Sequence, residues 1–333
     1  MHNEYGLTER YLNPFTDFGF KKIFGSEPNK EIPKAFLNEL LKDREQIVEL
    51  SFKPSEQLGL SSLDRKAILD LYCQNEKGEK FIIELQKTKQ KFFKDRALYY
   101  ATFPIQEQVQ RGEWNYELKA VYLVAILDFV FDADETERDK LLYDVSIPVD
   151  LKTSCSQEDE GALLHNIQLM NTRTHRIFYN KLNFIYLEMP KFKKSLEELQ
   201  SPFDQWLYVL RYLHQLQDRP EILKDPIFEQ LFDLAELGRL SQDEQRSYQD
   251  SLKTYRDLKN SFDTTRDEAL QTGRQQGIQE GLEKGKELGI QEGKELGVQE
   301  AQQALVRSMR QKGLPMATIV EFTGLSEAEI QAL

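Results

Sequence analysis

Cysteine is almost missing from this chain: Cys73 and Cys155 are the two in 333 residues, and no CxxC occurs. That excludes a disulfide framework and fits a reducing, cytoplasmic setting. The four histidines, His2, His165, His175 and His214, have no zinc-ligand spacing, so a structural zinc site is not expected. No stretch of about 18 uncharged apolar residues exists, which argues against a membrane span. The opening MHNEYGLTERYLNPF lacks a positive region followed by an apolar one, so export is not expected. A nucleotide-binding glycine motif is also lacking. The glycine-rich tail follows no strand and leads to no Lys-Ser/Thr pair.

Positive charge is in short supply. Lys and Arg number 44 against 56 Asp and Glu, a formal net charge of -12. Phosphate contacts need a cationic surface, so binding to a nucleic acid has to be local and salt-sensitive. One segment supplies such a surface. QKTKQKFFKDR, residues 86–96, holds Lys87, Lys89, Lys91, Lys94 and Arg96 against Asp95 alone.

What is present reads as an α/β core with an all-α C-terminal region. Asn29 is a candidate N-cap for a helix with apolar residues at Ile32, Phe36, Leu37, Leu40 and Leu41. KAILDLYCQNEKGEKFIIELQ follows as two strands around a turn. A helix is expected from about Thr88 to Gly112, kinked near Pro104. LKAVYLVAILDF then reads as a buried strand, giving a hairpin followed by a crossover. HNIQLMNT and KLNFIYLEMP add strands. Ser201-Pro202-Phe203-Asp204 is a helix start, and helical periodicity continues to about residue 262.

Three parts are therefore expected: 1–262 as the main domain, 263–300 as a glycine-periodic segment, and 301–333 as a small helical unit. In the middle part, glycine recurs every fourth residue from Gly273 to Gly297. Each glycine costs about 1 kcal/mol against alanine in a helix interior. A helix packing closely on a second copy and a flexible linker are both compatible with this spacing. The last part suggests three short helices with breaks at Gly313 and Thr323-Gly324, and a capping box from Ser326 to Glu329. It is similar to a helix-turn-helix unit, but the final helix SEAEIQAL is acidic and offers nothing to base edges. A packing or self-association role fits it better.

The chemistry lies on the hairpin. Strand alternation places Asp70 with Ile68 and Tyr72, and Glu84 with Ile82 and Gln86. A three-residue loop Glu76-Lys77-Gly78, with Gly78 left-handed, pairs Asn75 with Glu79 and brings Asp70 opposite Glu84. Two adjacent carboxylates repel, and one takes up a proton unless a cation intervenes. Mg²⁺ (or Mn²⁺) suits two carboxylates with waters and phosphate oxygens, and such an ion can activate water for phosphodiester hydrolysis. Gln86 could orient the attacking water but carries no charge. Lys87 points to the opposite face of a regular strand.

NPFTDFGFKKIFG, LDLYCQNEKGEKFIIELQ and DRALYYATFPIQEQVQRGEWNYELKAVYLVAILDF together resemble the recombination-promoting nuclease family. That family is a transposase-like branch of the PD-(D/E)XK superfamily. The likeness spans about residues 10–130, and the glycine-periodic tail is similar as well. It implies a restriction-endonuclease-like core, a mixed sheet flanked by helices, and a metal-dependent DNA endonuclease that promotes recombination. On this resemblance Asp70 and Glu84 are the metal ligands, and Gln86 stands where the superfamily has lysine, which puts the rate in question. Asp17, of the family's FTDFGFK opening, is a supporting residue, as are Lys89, Arg96 and Tyr99. Lys87, Lys89, Lys91, Lys94 and Arg96 are the expected DNA contacts. Asp128 is read as structural.

Two other readings follow from the same residues. The missing lysine could mark a nuclease fold without catalysis, kept for DNA binding or assembly. A DDE transposase would draw three acids from distant segments, whereas these acids share one hairpin. HNH chemistry is disfavoured by the histidine placement.

Overall fold

The computed structural model describes residues 9–44, 46–57, 67–109, 115–130 and 162–332. It divides into two compact units, Met1–Phe262 and Asp263–Leu333.

The first unit is built on a six-stranded mixed sheet of β1 (Leu50–Phe52), β4 (Leu71–Asn75), β5 (Lys80–Gln86), β6 (Val121–Leu127), β8 (Arg176–Glu188) and β7 (Leu164–Asn171), in that order. β2 (Glu56–Gln57) and β3 (Ala67–Ile68) form a separate antiparallel pair. β5, β6 and β8 run parallel, with β4 and β7 antiparallel to their neighbours. Every residue of β6 is buried, as its continuous apolar run requires. This is the mixed sheet flanked by helices that the sequence implied.

Each face of the sheet has its own core. One is covered by α1 (Asp17–Phe24), α2 (Glu31–Leu40), α4 (Pro202–Tyr212), α5 (Pro226–Ala235) and the first turns of α6 (Gln242–Gln311). Phe24, Phe36, Trp206 and Phe228 interlock there, with ring centroids 4.9–5.8 Å apart along the chain of contacts. The opposite face is covered by α3 (Phe93–Gln106), which sets Phe93, Ala97 and Ala101 against Ile82, Leu123, Ala125 and Tyr186. The face bearing Glu84 is thus roofed along part of its length rather than lying open as a cleft.

Several boundaries differ from expectation. α2 begins at Glu31 with Lys30 in the cap position, because Asn29 closes a preceding 3₁₀ turn. α3 begins at Phe93 rather than Thr88. Phe93 has to enter the core between Tyr186 and Phe129, at 5.6 and 6.1 Å between rings, and that contact fixes the helical register. Lys89 and Lys91 therefore lie on the connection from β5, not on the helix. Pro104 sits in the last turn of α3, where its missing N–H precedes the helix end at Gln106. The rest of the expected helix, 110–114, falls outside the described residues. Ser201 and Asp204 form the reciprocal cap of α4, each side chain accepting from the other's backbone N–H.

In the second unit α6 runs on through all the periodic glycines. A Cβ added at any glycine from Gly273 to Gly297 would meet nothing within 4 Å. The first of the three short helices expected at the C-terminus is the end of α6. It is followed by α7 (Met316–Thr323) and α8 (Glu327–Ala332). Val306, Ile319 and Ile330 form a small core there, and Ser326 and Glu329 make the capping box. Among the described residues no helix is long and apolar enough to cross a membrane.

Candidate active site

The hairpin turns as its glycine dictates. Gly78 has φ +81°, and Asn75 N–H donates to the Glu79 carbonyl at 3.1 Å. Leu71 pairs with Ile83, so the next position outward brings Asp70 opposite Glu84. At this point the first strand breaks: Leu69 N–H turns away to the Ser55 carbonyl, and Ala67–Ile68 pair with β2 instead. Ile68 is consequently 64 % exposed and does not share the face of the acids.

The break is bridged by the carboxylates. Asp70 Oδ2 accepts from Leu85 N–H at 2.8 Å, and Asp70 N–H donates to Glu84 Oε1 at 3.2 Å. Side-chain oxygens take over where the backbone ladder stops, so both acids are fixed by main-chain groups. Burial, then the neighbouring Asp70, pushes the Glu84 carboxyl up to about 8, against the pull of the Asp70 N–H, Arg96 and Lys21. Burial also raises Asp70, and Asp17 adds to this. The Leu85 N–H, Lys21 and Lys87 hold it down.

The surrounding charges come from three elements. α1 begins at Asp17, capped by Thr16, whose Oγ1 accepts from Gly19 N–H at 3.0 Å. Gly19 is required here, because a Cβ would lie 2.2 Å from the Asn13 carbonyl oxygen. α1 is pinned from outside by α6: Tyr248 OH accepts from Asn13 N–H, Ser251 Oγ from Phe18 N–H, and Glu244 pairs with Lys22 at 2.6 Å. Asp17 and Lys21, one turn apart, thereby face the acids. β5 ends at Gln86, so alternation no longer constrains Lys87. Contrary to the strand argument, its Nζ reaches Asp17 Oδ1 at 2.8 Å and its charge acts on Asp70.

On α3, Arg96 spreads its guanidinium over the Phe93 and Tyr100 rings at 5.7 and 5.6 Å and its charge acts on Glu84. Tyr100 is the tyrosine turned to the site. Burial and then Glu84 raise its phenol. Tyr99 is 45 % exposed and packs on Phe103 instead. Lys91 lies over the Phe92 ring, its Nζ 5.5 Å from the centroid.

Gln86 is buried, and its carbonyl accepts from Asp128 N–H at 2.8 Å. Asp128 in turn holds Arg211 at 3.1 Å, Tyr255 OH at 2.6 Å and Lys259 at 3.3 Å, tying the end of β5 to α4 and α6. Lys21 and Tyr100 were not among the expected site residues, and Lys87 was expected as a DNA contact and not beside Asp17 and Asp70. The Asp17–Lys21 spacing of one helical turn was the available signal for the first.

The donor set suits a hard divalent cation. Among the described residues neither Asp70 nor Glu84 forms an ion pair with a Lys or Arg, and burial with the Asp70 charge raises the Glu84 carboxyl instead. No third His, Cys, Asp or Glu converges with them among those residues. Two carboxylates with water and phosphate oxygens completing the shell is the arrangement Mg²⁺ accepts.

A family model described as PD-(D/E)XK nuclease family transposase matches residues 14–150 and 145–265. The chain belongs to that family, and the resemblance carried by the opening motif and the hairpin is borne out. A nuclease-type function follows from membership, and nucleases of this class generally use divalent metals. No curated protein matches the chain, and neither does any solved structure.

Proposed function

We propose that this protein is a metal-dependent DNA endonuclease, promoting recombination, with Asp70 and Glu84 as metal ligands and Gln86 beside them. The observation that carries this reading is the bridge at the strand break. The buried Glu84 and the half-buried Asp70 face each other, fixed by backbone N–H groups, at the open end of a parallel strand. A bound Mg²⁺ or Mn²⁺ would supply a more acidic water and neutralise charge on the scissile phosphate.

The chain's own groups then position the substrate. Gln86 has an amide that can orient a water or a phosphate oxygen. Lys87, swung from Asp17, and Lys21 offer the positive charge that Gln86 lacks. Lys89, Lys91, Lys94 and Arg96 line the run from β5 into α3 and give a polyanion its local cationic surface. The cell compartment expected is the cytoplasm, and self-association is assigned to the C-terminal unit.

The test is cleavage of supercoiled plasmid with Mg²⁺, Mn²⁺ or chelator, for the wild type, Asp70→Ala and Glu84→Ala. Metal-dependent nicking or linearisation lost in both variants supports the assignment. A wild type that binds DNA and cuts it in no metal would leave the fold without catalysis. Equal cutting by all three would place the site elsewhere.

A further inference from the structure

The β7–β8 hairpin carries a second feature that the Asp70–Glu84 site does not use. From Leu169 to Phe178 every residue is exposed. Large apolar side chains are among them: Leu169 at 50 %, Met170 at 50 %, Ile177 at 58 % and Phe178 at 79 %. An isolated two-stranded ribbon is marginal in water and exposes apolar surface at a cost. The pairing shifts at Gln168/Leu169 and again at Leu169/Met170, so the ribbon departs from the register of the sheet. Such irregularities bend a strand and re-aim its side chains.

The charge of this segment is opposite to that of the chain. Asp and Glu number 56 in 333 residues, yet none occurs between Glu160 and Glu188. The tip instead presents Arg173, His175 and Arg176, and among the described residues neither arginine makes an ion pair. The tip is also shaped in advance. Asn171 Oδ1 accepts from Arg173 N–H and Thr174 N–H at 3.0 Å each, and His175 is held at φ +52° by its N–H bond to the Asn171 carbonyl.

We infer that the Leu169–Phe178 ribbon is a DNA-binding arm, which contacts duplex phosphates through Arg173 and Arg176 and lays Phe178 and Ile177 into a groove. A two-stranded ribbon fits the major groove, and exposed apolar side chains serve as wedges or methyl contacts. Arginines that make no ion pair among the described residues, in a stretch of sequence without acids, complement a polyanion such as duplex DNA. The position fits as well. β8 runs parallel to β5, and Glu84 lies level with Tyr186, so the tip at Arg176 is ten residues away along β8. At about 3.3 Å per residue this is at most ~33 Å, roughly one turn of duplex. The arm would hold DNA at a distance from the cut, and this rests on duplex DNA being the substrate.

The test is fluorescence anisotropy with a 30-base-pair duplex, in chelator so that nothing is cut, over a salt series. The full-length chain, the double variant Arg173→Ala/Arg176→Ala, the double variant Arg173→Lys/Arg176→Lys, and Phe178→Ala are compared. Loss of two phosphate contacts should lower the slope of log K against log salt by about 1.8. At 0.15 M salt the alanine pair should bind about tenfold or more weakly, while the lysine pair keeps the wild-type slope. Phe178→Ala should weaken binding at an unchanged slope. All of these sites are exposed, so folding is spared, and circular dichroism checks it. Binding unchanged in the alanine pair overturns the arm and leaves the nuclease reading standing. A wild type that binds no duplex overturns both. Variants that alter only the sedimentation mass would make the ribbon an interface between copies and overturn the arm.

Discussion

Lys87 Nζ stands 2.8 Å from Asp17 Oδ1, joining the residue just past β5 to the first residue of α1. The pair brings a cation beside Asp70 at the position following the one where this chain has Gln86. It is partly exposed, Asp17 at 59 %, so its Coulomb energy contributes little to stability and its value lies in placement.

Lys87→Ala should therefore reduce cleavage by about 10²-fold, the usual worth of one charge-stabilising group, with the melting midpoint nearly unchanged. Adding Gln86→Lys to that variant should restore much of the rate. Single-turnover cleavage of a labelled duplex measures both. If Lys87→Ala cuts as fast as the wild type, the charge comes from elsewhere.

Metal affinity should climb with pH. With Glu84 pushed up to about 8, binding a divalent cation at neutral pH has to expel a proton. Calorimetric titration with Mn²⁺ in buffers of different ionisation enthalpy should show close to one proton released at pH 7 and far less at pH 9. Asp17→Asn removes a charge that raises Asp70 and should move the lower limb of the pH–rate profile to lower pH.

The same shift governs stability. Glu84 holds its proton more tightly folded than unfolded, so its contribution is complete below pH 4.5 and is lost as pH rises to about 8. Glu84→Gln should consequently gain thermal stability over the wild type at pH 8.5 and little at pH 4. Melting curves at the two pH values decide this; a gain equal at both would mean the carboxyl is not protonated in the apo fold.

Gly19→Ala should unfold the α1 corner. The added Cβ, 2.2 Å from a backbone oxygen, forces Asn13 and α1 apart, and such overpacking costs about 1–3 kcal/mol. Urea denaturation measures the loss. Gly281→Ala, Gly285→Ala and Gly289→Ala meet no neighbour and should add about 1 kcal/mol each to the helix. If they instead dissociate an oligomer in sedimentation, the glycines serve close approach between copies.

The hairpin was readable because its rules are local. Gly78 fixes the loop, the loop fixes the register, and the register brings Asp70 to Glu84. The buried strand β6 and the Ser201 cap were readable for the same reason. The strand break before Leu71 was not, since it depends on β3 choosing β2, a distant partner. Nor was the approach of Lys87 to Asp17, because alternation holds only while a strand lasts and β5 stops one residue short. Tyr100 took the place facing Glu84 because α3 is registered by Phe93 on Tyr186, a contact across nearly a hundred residues of sequence. The ribbon's free tip was written in composition, as a gap in the acids.

The clasp of α6 on α1 also sets an order of events during synthesis. Tyr248, Ser251 and Glu244, which hold the helix of Asp17, are made more than two hundred residues after it. At roughly 5–20 residues per second, ten seconds or more separate the two. For most of that interval the nascent chain has Asp70 and Glu84 but no fastened α1 to bring Asp17 and Lys21 to them. If Asp70 and Glu84 are the cutting centre proposed above, a centre fastened by residues 244–251 stays silent until translation of the first unit is nearly complete.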